Sequence, residues 1–578
     1  MKLRTSYFNP TAFKKDVLRF APAWALYTIF LLMGMMLCFL GDNEYHRVNN
    51  VADSIAGMAV VNLCYGLLNA QLLFGDLYNA RLCNALHAMP LRRECWFGTH
   101  VVAGLAFSFV PNLAASLVAL PVLGVGWSVA LWWLLASCLQ YLCFFGLATL
   151  SALCVGNRFA MAVVYGIINF LSVLVYWFYS TLYEPLLYGV RADSAPFLAW
   201  SPVVRMVENY DMVEVVRSGE TYYTWTVEAV YPGEGWGYLA ICAALGVAVM
   251  ALALVLYRRR KLETAGDFMA FRTLEPVFLV LYTMTVGAFF QLFSDALFGT
   301  AANYVFLAIG LTVGFFTGRM LLMRTVRVFQ PKAFLAFGIL AAVLTVSLLL
   351  TWWDVLGITR RIPDTEDVVS VRISDDYYYY ARDYNGMELD TPQEIDGIRR
   401  MHQMILDGQT DPNPEDDSST VYLVRVSLDY SLKNGTRLTR YYSVAVESPV
   451  GQFVEQYYTD AEYIFGVPAE EVETLIDQMA YLYIRIEDGD GQQDPTSPLA
   501  EGLLRAIVAD CEAGTMAQEY GYHADSEEVN WVEFRFDTPD GNSRYVTINI
   551  YPECENTVAY MKENGLPVYD QEYFDIEK

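Results

Sequence analysis

"AFLAFGILAAVLTVSLLLTWW", Ala333 to Trp353, runs for 21 residues without an ionisable side chain. As a helix it is long enough to cross the roughly 30 Å hydrocarbon core of a bilayer. The next residue, Asp354, opens a stretch of opposite character. Residues 354–578 carry 46 acidic and 16 basic side chains, whereas residues 1–353 carry 18 and 22. The chain therefore divides here into a slightly basic membrane part and a strongly acidic, water-soluble part. The acidic part argues against nucleic acid as a partner, because it would repel phosphates.

Toward the N-terminus, eight more apolar runs resemble the first: 21–40, 54–74, 98–120, 128–153, 159–182, 235–257, 275–296 and 302–322. With 333–353 they predict nine spans. The first run is too long for a cleavable signal peptide and lacks a small-residue cleavage pattern. Lys and Arg in the short loops set the orientation. They cluster in the N-terminal tail, in "RLCNALHAMPLRRECW" (81–96), in "RRRK" (258–261), and at Arg319, Arg324, Arg327 and Lys332. With nine spans these four regions share one side, which is the cytoplasmic one. The acidic tail then lies outside.

"FNPTAFKKDVLRFAPAW" (8–24) offers Asn9 as a helix cap and Pro10 as a first helical residue. Phe13, Val17, Phe20 and Trp24 share a face away from Lys14, Lys15 and Arg19, which predicts an amphipathic helix on the inner membrane surface. In the tail, period-two alternation surrounds "KNG" in 420–446 and "PDGN" in 529–551, predicting two β-hairpins. A helical pattern precedes each, at 394–408 and 498–514, so the tail reads as two helix–hairpin copies about 105 residues apart.

Chemistry-bearing motifs are scarce. The chain has no phosphate-binding loop, no HExxH, no GxSxG and no CxxC. It is expected not to be an enzyme and to bind no metal or cofactor directly. "EDGDGQQD" (487–494) fails the EF-hand pattern and reads as a turn. His402 and His523 read as packed or solvated, and Asn434 of "NGT" as a turn residue. Cys511 and Cys554 are expected to be free, and Cys38, Cys64, Cys138, Cys143, Cys154 and Cys242 to be small membrane-core residues. The spans hold almost no ionisable groups, so a transporter of this composition draws its energy from elsewhere. Asn62, Asn69, Asn112, Gln140 and Asn169 would be costly facing lipid. They must either bond between helices or face a wetted pathway. Pro111 is expected to kink the third span.

This layout resembles the permease subunit of a type-2 ABC exporter, in particular the larger Gram-positive permeases with extra spans and a C-terminal outer domain. "LFGDLYNARLCNALHAMPLRREC" (73–95) is similar to the family's coupling loop, and "YRRRKLETAGDFMAF" (257–271) to its stretch after the sixth span. The resemblance implies a coupling site of Arg81, His87, Met89, Pro90, Arg92 and Arg93. Met89 would be an apolar knob entering the ATPase. A helix near 78–87 would act as a lever stopped before Pro90, and Arg92 and Arg93 would anchor it at the headgroups.

It also implies a separate ABC ATPase subunit that supplies ATP and Mg, a homodimer or a heterodimer with a sister permease, and a bacterial plasma-membrane location. The predicted fold class is a polytopic α-helical membrane protein of about nine transmembrane helices, the first six permease-like, with a C-terminal extracytoplasmic α+β domain containing β-hairpins. Its parts are 1–20, a connecting helix; 21–260, a six-span core with an extracellular insertion at 183–234; 261–353, three more spans; and 354–578, the outer domain. The expected function is export of an apolar or amphipathic substrate. The alternative is a membrane sensor whose outer domain binds an extracellular ligand without transport.

Overall fold

The computed structural model describes residues 7–37, 44–89, 91–123, 126–191, 194–208, 212–218, 226–298, 302–374, 387–408, 423–445, 448–458, 460–465, 467, 469–486, 489–493, 498–516, 530–537, 543–550 and 554–566. It forms two compact units: 1–181 with 192–346, and 182–191 with 347–578.

The first unit is helical. Its elements are α1 (Pro10–Arg19), α2 (Ala21–Leu37), α3 (Glu44–Leu73), α4 (Ala80–His87), α5 (Arg93–Leu123), α6 (Trp127–Cys154), α7 (Arg158–Leu182), α8 (Ser194–Ala199) and α9 (Pro202–Glu208). Then come the antiparallel pair β1 (Val213–Ser218) and β2 (Thr226–Pro232), and α10 (Trp236–Arg259), α11 (Glu275–Phe298), α12 (Asn303–Met323) and α13 (Pro331–Trp352). Eight of these helices are long and apolar enough to cross a bilayer. The pair α1 and α2, bent by 63°, makes nine if taken as one span. α2 alone has 17 residues, about 26 Å of helix, which is short of the hydrocarbon thickness. α5 continues through Pro111 as one helix.

Small residues let these helices approach closely, as expected where lipid removes the hydrophobic drive for association. α6 and α10 cross at Gly146 and Gly246, where a Cβ on either would strike the backbone of the other helix. α3 meets α6 at Gly66, and a Cβ there would lie 3.1 Å from the Phe145 amide. α12 presents Gly310, Gly314 and Gly318 to α11; a Cβ on Gly314 would stand 3.0 Å from the Thr283 Cα.

Asn9 caps α1 as its sequence predicts, accepting from the amides of Thr11 and Ala12 at 3.0 and 3.2 Å. Phe20 is buried and Phe13, Val17 and Trp24 pack on the core, while Lys14 and Lys15 are exposed.

The second unit contains two four-stranded antiparallel sheets of the same design. One has β3 (Val368–Ser374), β4 (Met387–Leu389), α14 (Pro392–Leu406), β5 (Leu423–Leu432) and β6 (Arg437–Ala445), in strand order β4-β3-β5-β6. α15 (Pro449–Tyr458) and α16 (Ala461–Phe465) come next. The other has β7 (Met479–Ile486), β8 (Gly489–Gln493), α17 (Pro498–Ala513), β9 (Asn530–Asp537) and β10 (Ser543–Ile550), in order β10-β9-β7-β8, then α18 (Glu555–Glu563). In both, the helix lies between the second and third strands. Each copy thus contains a first hairpin that precedes the helix, beyond the helix and hairpin legible in the sequence.

Alternation carries the core. Val424, Val426, Leu428 and Val444 are buried, as are Val532, Phe534, Phe536, Val546, Ile548 and Ile550. Arg440 interrupts the apolar face of β6 and is itself buried. Tyr422, Val446 and His523 lie outside the described residues. The 487–494 stretch falls mostly within β8. Gly435, with φ of +79°, completes the β5–β6 turn, and Asn434 Oδ1 accepts from the Thr436 amide at 2.9 Å.

Segment 182–191 belongs to this unit. The Tyr441 amide donates to the Gly189 carbonyl at 3.0 Å, and Gly189, with φ of +71°, lies so tightly on the Tyr442 ring that no Cβ would fit. The insertion expected as one piece at 183–234 is therefore shared: its first residues join the second unit, and α8, α9, β1 and β2 stay with the helices.

Candidate functional site

The loop between α3 and α5 begins where Asn79 caps α4, accepting from the amides of Arg81 and Leu82 at 3.0 and 3.4 Å. α4 buries only Cys83. Arg81 and Arg92 are exposed, and Leu82 and Met89 are each 46% exposed. Pro90 lies outside the described residues. His87 turns inward instead. Its Nδ1 lies 2.7 Å from the Cys83 carbonyl, so that nitrogen carries the proton, and Nε2, 3.2 Å away, accepts from the Tyr257 hydroxyl. Burial holds the His87 imidazole below its ordinary pKa, which keeps this neutral tautomer. His87 therefore positions the loop and is not part of its outer face.

Arg93 also differs from its expected role at the headgroups. Its Nη1 donates to the carbonyls of Tyr257, Arg258 and Arg260 at 3.1, 3.3 and 2.9 Å. A cation at the C-terminus of α10 satisfies carbonyls that have no helical donor and complements the helix dipole. Arg260 does the same for α6. It is 5% exposed and donates to Ala152 and Leu153 at 3.2 Å each, and to Leu77 at 3.4 Å. Glu94 pairs with Arg258 at 3.0 Å.

The 257–271 stretch is strapped to the α6–α7 turn. The Gly266 amide donates to the Gly156 carbonyl at 2.7 Å and the Ala270 amide to Cys154 at 2.8 Å. Gly156 is obligatory there, because a Cβ would strike the Asp267 backbone. Arg324 pairs with Asp267 at 2.9 Å, Arg19 with Asp76 at 3.3 Å, and His100 with Asp16 at 3.0 Å. α1, the 75–97 loop, the α6–α7 turn, the 258–270 strap and the α12–α13 turn thus form one bonded layer at one end of the helices.

The polar residues of the spans form a second constellation. Asn62, Asn69, Asn112, Gln140 and Asn169 are all at most 1% exposed. Tyr27 stands between Asn62 and Asn112, its hydroxyl 3.3 and 3.2 Å from their Oδ1 atoms. Asn62 Nδ2 donates to Gln140 Oε1 at 3.1 Å, and Gln140 Nε2 to the Ile55 carbonyl at 3.0 Å. Asn69 Nδ2 donates to the Tyr141 hydroxyl at 2.8 Å, which donates to the Gly104 carbonyl at 2.8 Å. Four helices, α2, α3, α5 and α6, are joined in this way. Asn169 stands apart and donates to Tyr165 of its own helix at 2.9 Å. The amides bond within and between helices, and Oδ1 of Asn69 and of Asn169 has no hydrogen-bond partner among the described residues.

Sequence reasoning missed the inward roles of Arg93 and Arg260. A basic run beside a span end reads only as an orientation signal until the helix ends are brought together. No cluster of metal-ligating side chains occurs among the described residues. No protein-family model, curated protein or solved structure matches the chain.

Proposed function

We propose that this chain is the membrane subunit of an ATP-driven transporter of the type-2 ABC exporter class, docked to a separate ATPase through the 75–97 loop. One observation carries the reading: the loop is braced from behind and left open in front. Arg93 and His87 tie it to the end of α10, and Arg260 ties it to the end of α6. Its outer face presents Leu82, Met89, Arg81 and Arg92. A push on that face would pass directly into α5, α6 and α10, as a lever between ATPase and spans requires. In this reading the bonded layer is cytoplasmic, by its arginines, and the acidic unit is extracytoplasmic. The cargo is apolar or amphipathic, and the working unit contains two permease chains.

The reading is tested by isolating the chain from its own membrane in mild detergent. Co-elution of a nucleotide-binding ATPase is expected; recovery of the chain without one overturns it. The second reading, a sensor that does not transport, is favoured by the closure of the Asn62–Asn112–Gln140 network, since a sensor needs no wetted path. Cysteines placed at 62, 69 and 112 in a background without native cysteines separate the two. Reactivity with a membrane-impermeant thiol reagent in any nucleotide state supports transport, and uniform protection supports sensing.

A further inference from the structure

We propose that the turn following α13, Trp352 to Ile358, is an apolar knuckle seated in the bilayer leaflet that α13 reaches, with Arg360 and Arg361 holding lipid phosphates beside it. The inference rests on α13 being a span. α13 has 22 residues, about 33 Å of helix, so it fills the hydrocarbon core by itself. The turn at its end then lies at headgroup depth, and it is strongly apolar. Trp352 and Trp353 are each 68% exposed, Val355 61% and Leu356 83%. Single exposed apolar residues need no explanation, but four of five consecutive positions do. Paired tryptophans suit an interface that is apolar on one side and wet on the other.

The knuckle is a built structure. Asp354, at φ +44°, accepts from the amides of Ile358 and Thr359 at 2.7 and 3.1 Å. The Val355 amide returns to the Leu350 carbonyl at 3.2 Å, and Gly357, at φ +62°, closes on the Asp354 carbonyl at 2.9 Å. Arg440 of β6 donates to the Ile358 carbonyl at 2.8 Å, and Arg399 of α14 to the Pro363 carbonyl at 2.6 Å. Left-handed backbone at a non-glycine residue costs conformational energy. Here the hydrogen bonds accepted by Asp354 hold that backbone, and the four apolar side chains around it are exposed. Charge points the same way. Residues 354–578 carry 46 acidic and 16 basic side chains, yet the first charged residues after Asp354 are Arg360 and Arg361, both exposed. Anionic headgroups would repel most of this unit and attract it at this spot.

The test places an environment-sensitive fluorescent amino acid, one position at a time, at Leu356, Val343 and Val369 of the full-length chain in lipid nanodiscs. Val343 lies within α13 and reports the span; Val369, on β3, is 53% exposed and reports water. Quenchers are a nitroxide on the upper acyl chain and aqueous iodide. At 356 we expect lipid quenching severalfold above that at 369, with protection from iodide. Iodide quenching equal to that at 369 overturns the proposal, as does protection from both quenchers, which would mean that protein covers the turn. Absence of lipid quenching at 343 would instead remove the span on which the proposal stands. Arg360→Gln with Arg361→Gln should reduce lipid quenching at 356; unchanged quenching overturns the role given to the arginines.

Discussion

The two units bury polar side chains in different ways. Along its spans the helical unit encloses uncharged amides and hydroxyls: Asn62, Asn69, Asn112 and Gln140, with Tyr27 and Tyr141; its buried ionisable groups, Asp16, His100 and Arg260, lie in the bonded layer at the helix ends. The second unit encloses groups that ionise within its core. His402 is fully buried between the hydroxyls of Tyr430 and Tyr442, at 3.0 and 2.8 Å. Asp510 is fully buried too, its carboxylate accepting from the amides of Asn556 and Thr557 at 2.9 and 2.7 Å and from the Thr557 and Thr515 hydroxyls at 2.6 Å each. It caps α18 from a distance. A charge inside a bilayer is costly whatever its pairing, whereas a charge inside a water-bathed domain is tolerated once its hydrogen bonds are made. Acid should therefore act on the core of the second unit and leave the amide network of the helices alone.

Asp510→Ala tests the contrast most severely. It removes an ionised acceptor from five donors at once, the Asn556 side-chain amide among them, and leaves the N-terminus of α18 uncapped. A loss of about 4 kcal/mol is expected, read by pulse proteolysis of the second unit in the full chain. Wild-type resistance would show that α18 is held by its apolar contacts alone.

Acid comes next. Burial first, and then the charge of Arg440, push His402 from 6.5 down to about 4. An unfolded chain binds the proton near 6.5, and the native one only near 4. The stability due to the neutral imidazole is therefore complete above about pH 6.5 and is lost on descending toward about pH 4, by on the order of 3 kcal/mol. Between about pH 7 and about pH 4.5 the second unit of the wild type should lose stability that His402→Gln does not lose; parallel curves would refute the assignment. Asp510, held below the usual carboxylate range by its hydrogen bonds despite burial, weakens only at more acid pH, so it does not confuse this interval.

Asn62→Leu probes the other side. It strips partners from Tyr27 and Gln140 and should cost about 1.5 kcal/mol, by an equal amount at both ends of that pH interval. A cost that varied across it would mean that the membrane network is linked to a titrating group. The smallest effect expected is from His87→Ala, about 1 kcal/mol, seen as faster hydrogen exchange of the α4 amides. Unchanged exchange would show that His87 does not hold the loop.

Much of this molecule was legible in its residues. The Asn9 cap, the helical spans and the alternating faces of β5, β9 and β10 all come from local pattern, because each depends on neighbours within a few residues. The hairpin turn at Asn434–Gly435 does too. The first hairpin of each copy was not legible. β4 has three residues, too few to show a period, and β8 is "GDGQQ", with no apolar residue. The inward roles of Arg93 and Arg260 depend on helix ends more than a hundred residues apart in sequence meeting in space. The share of 182–191 in the second unit rests on Gly189 fitting against Tyr442, a contact that neither residue announces.

Docking of an ATPase on the 75–97 loop is tested most directly by Met89→Asp. Met89 is 46% exposed, so the substitution costs the isolated chain little. In a docked complex the same carboxylate would be buried without a partner, a penalty of several kcal/mol. Met89→Asp is expected to reach the membrane at the wild-type level and to lose the ATPase that the proposal expects to co-purify with the wild type. Retention of that ATPase in the wild-type ratio would contradict docking at this loop.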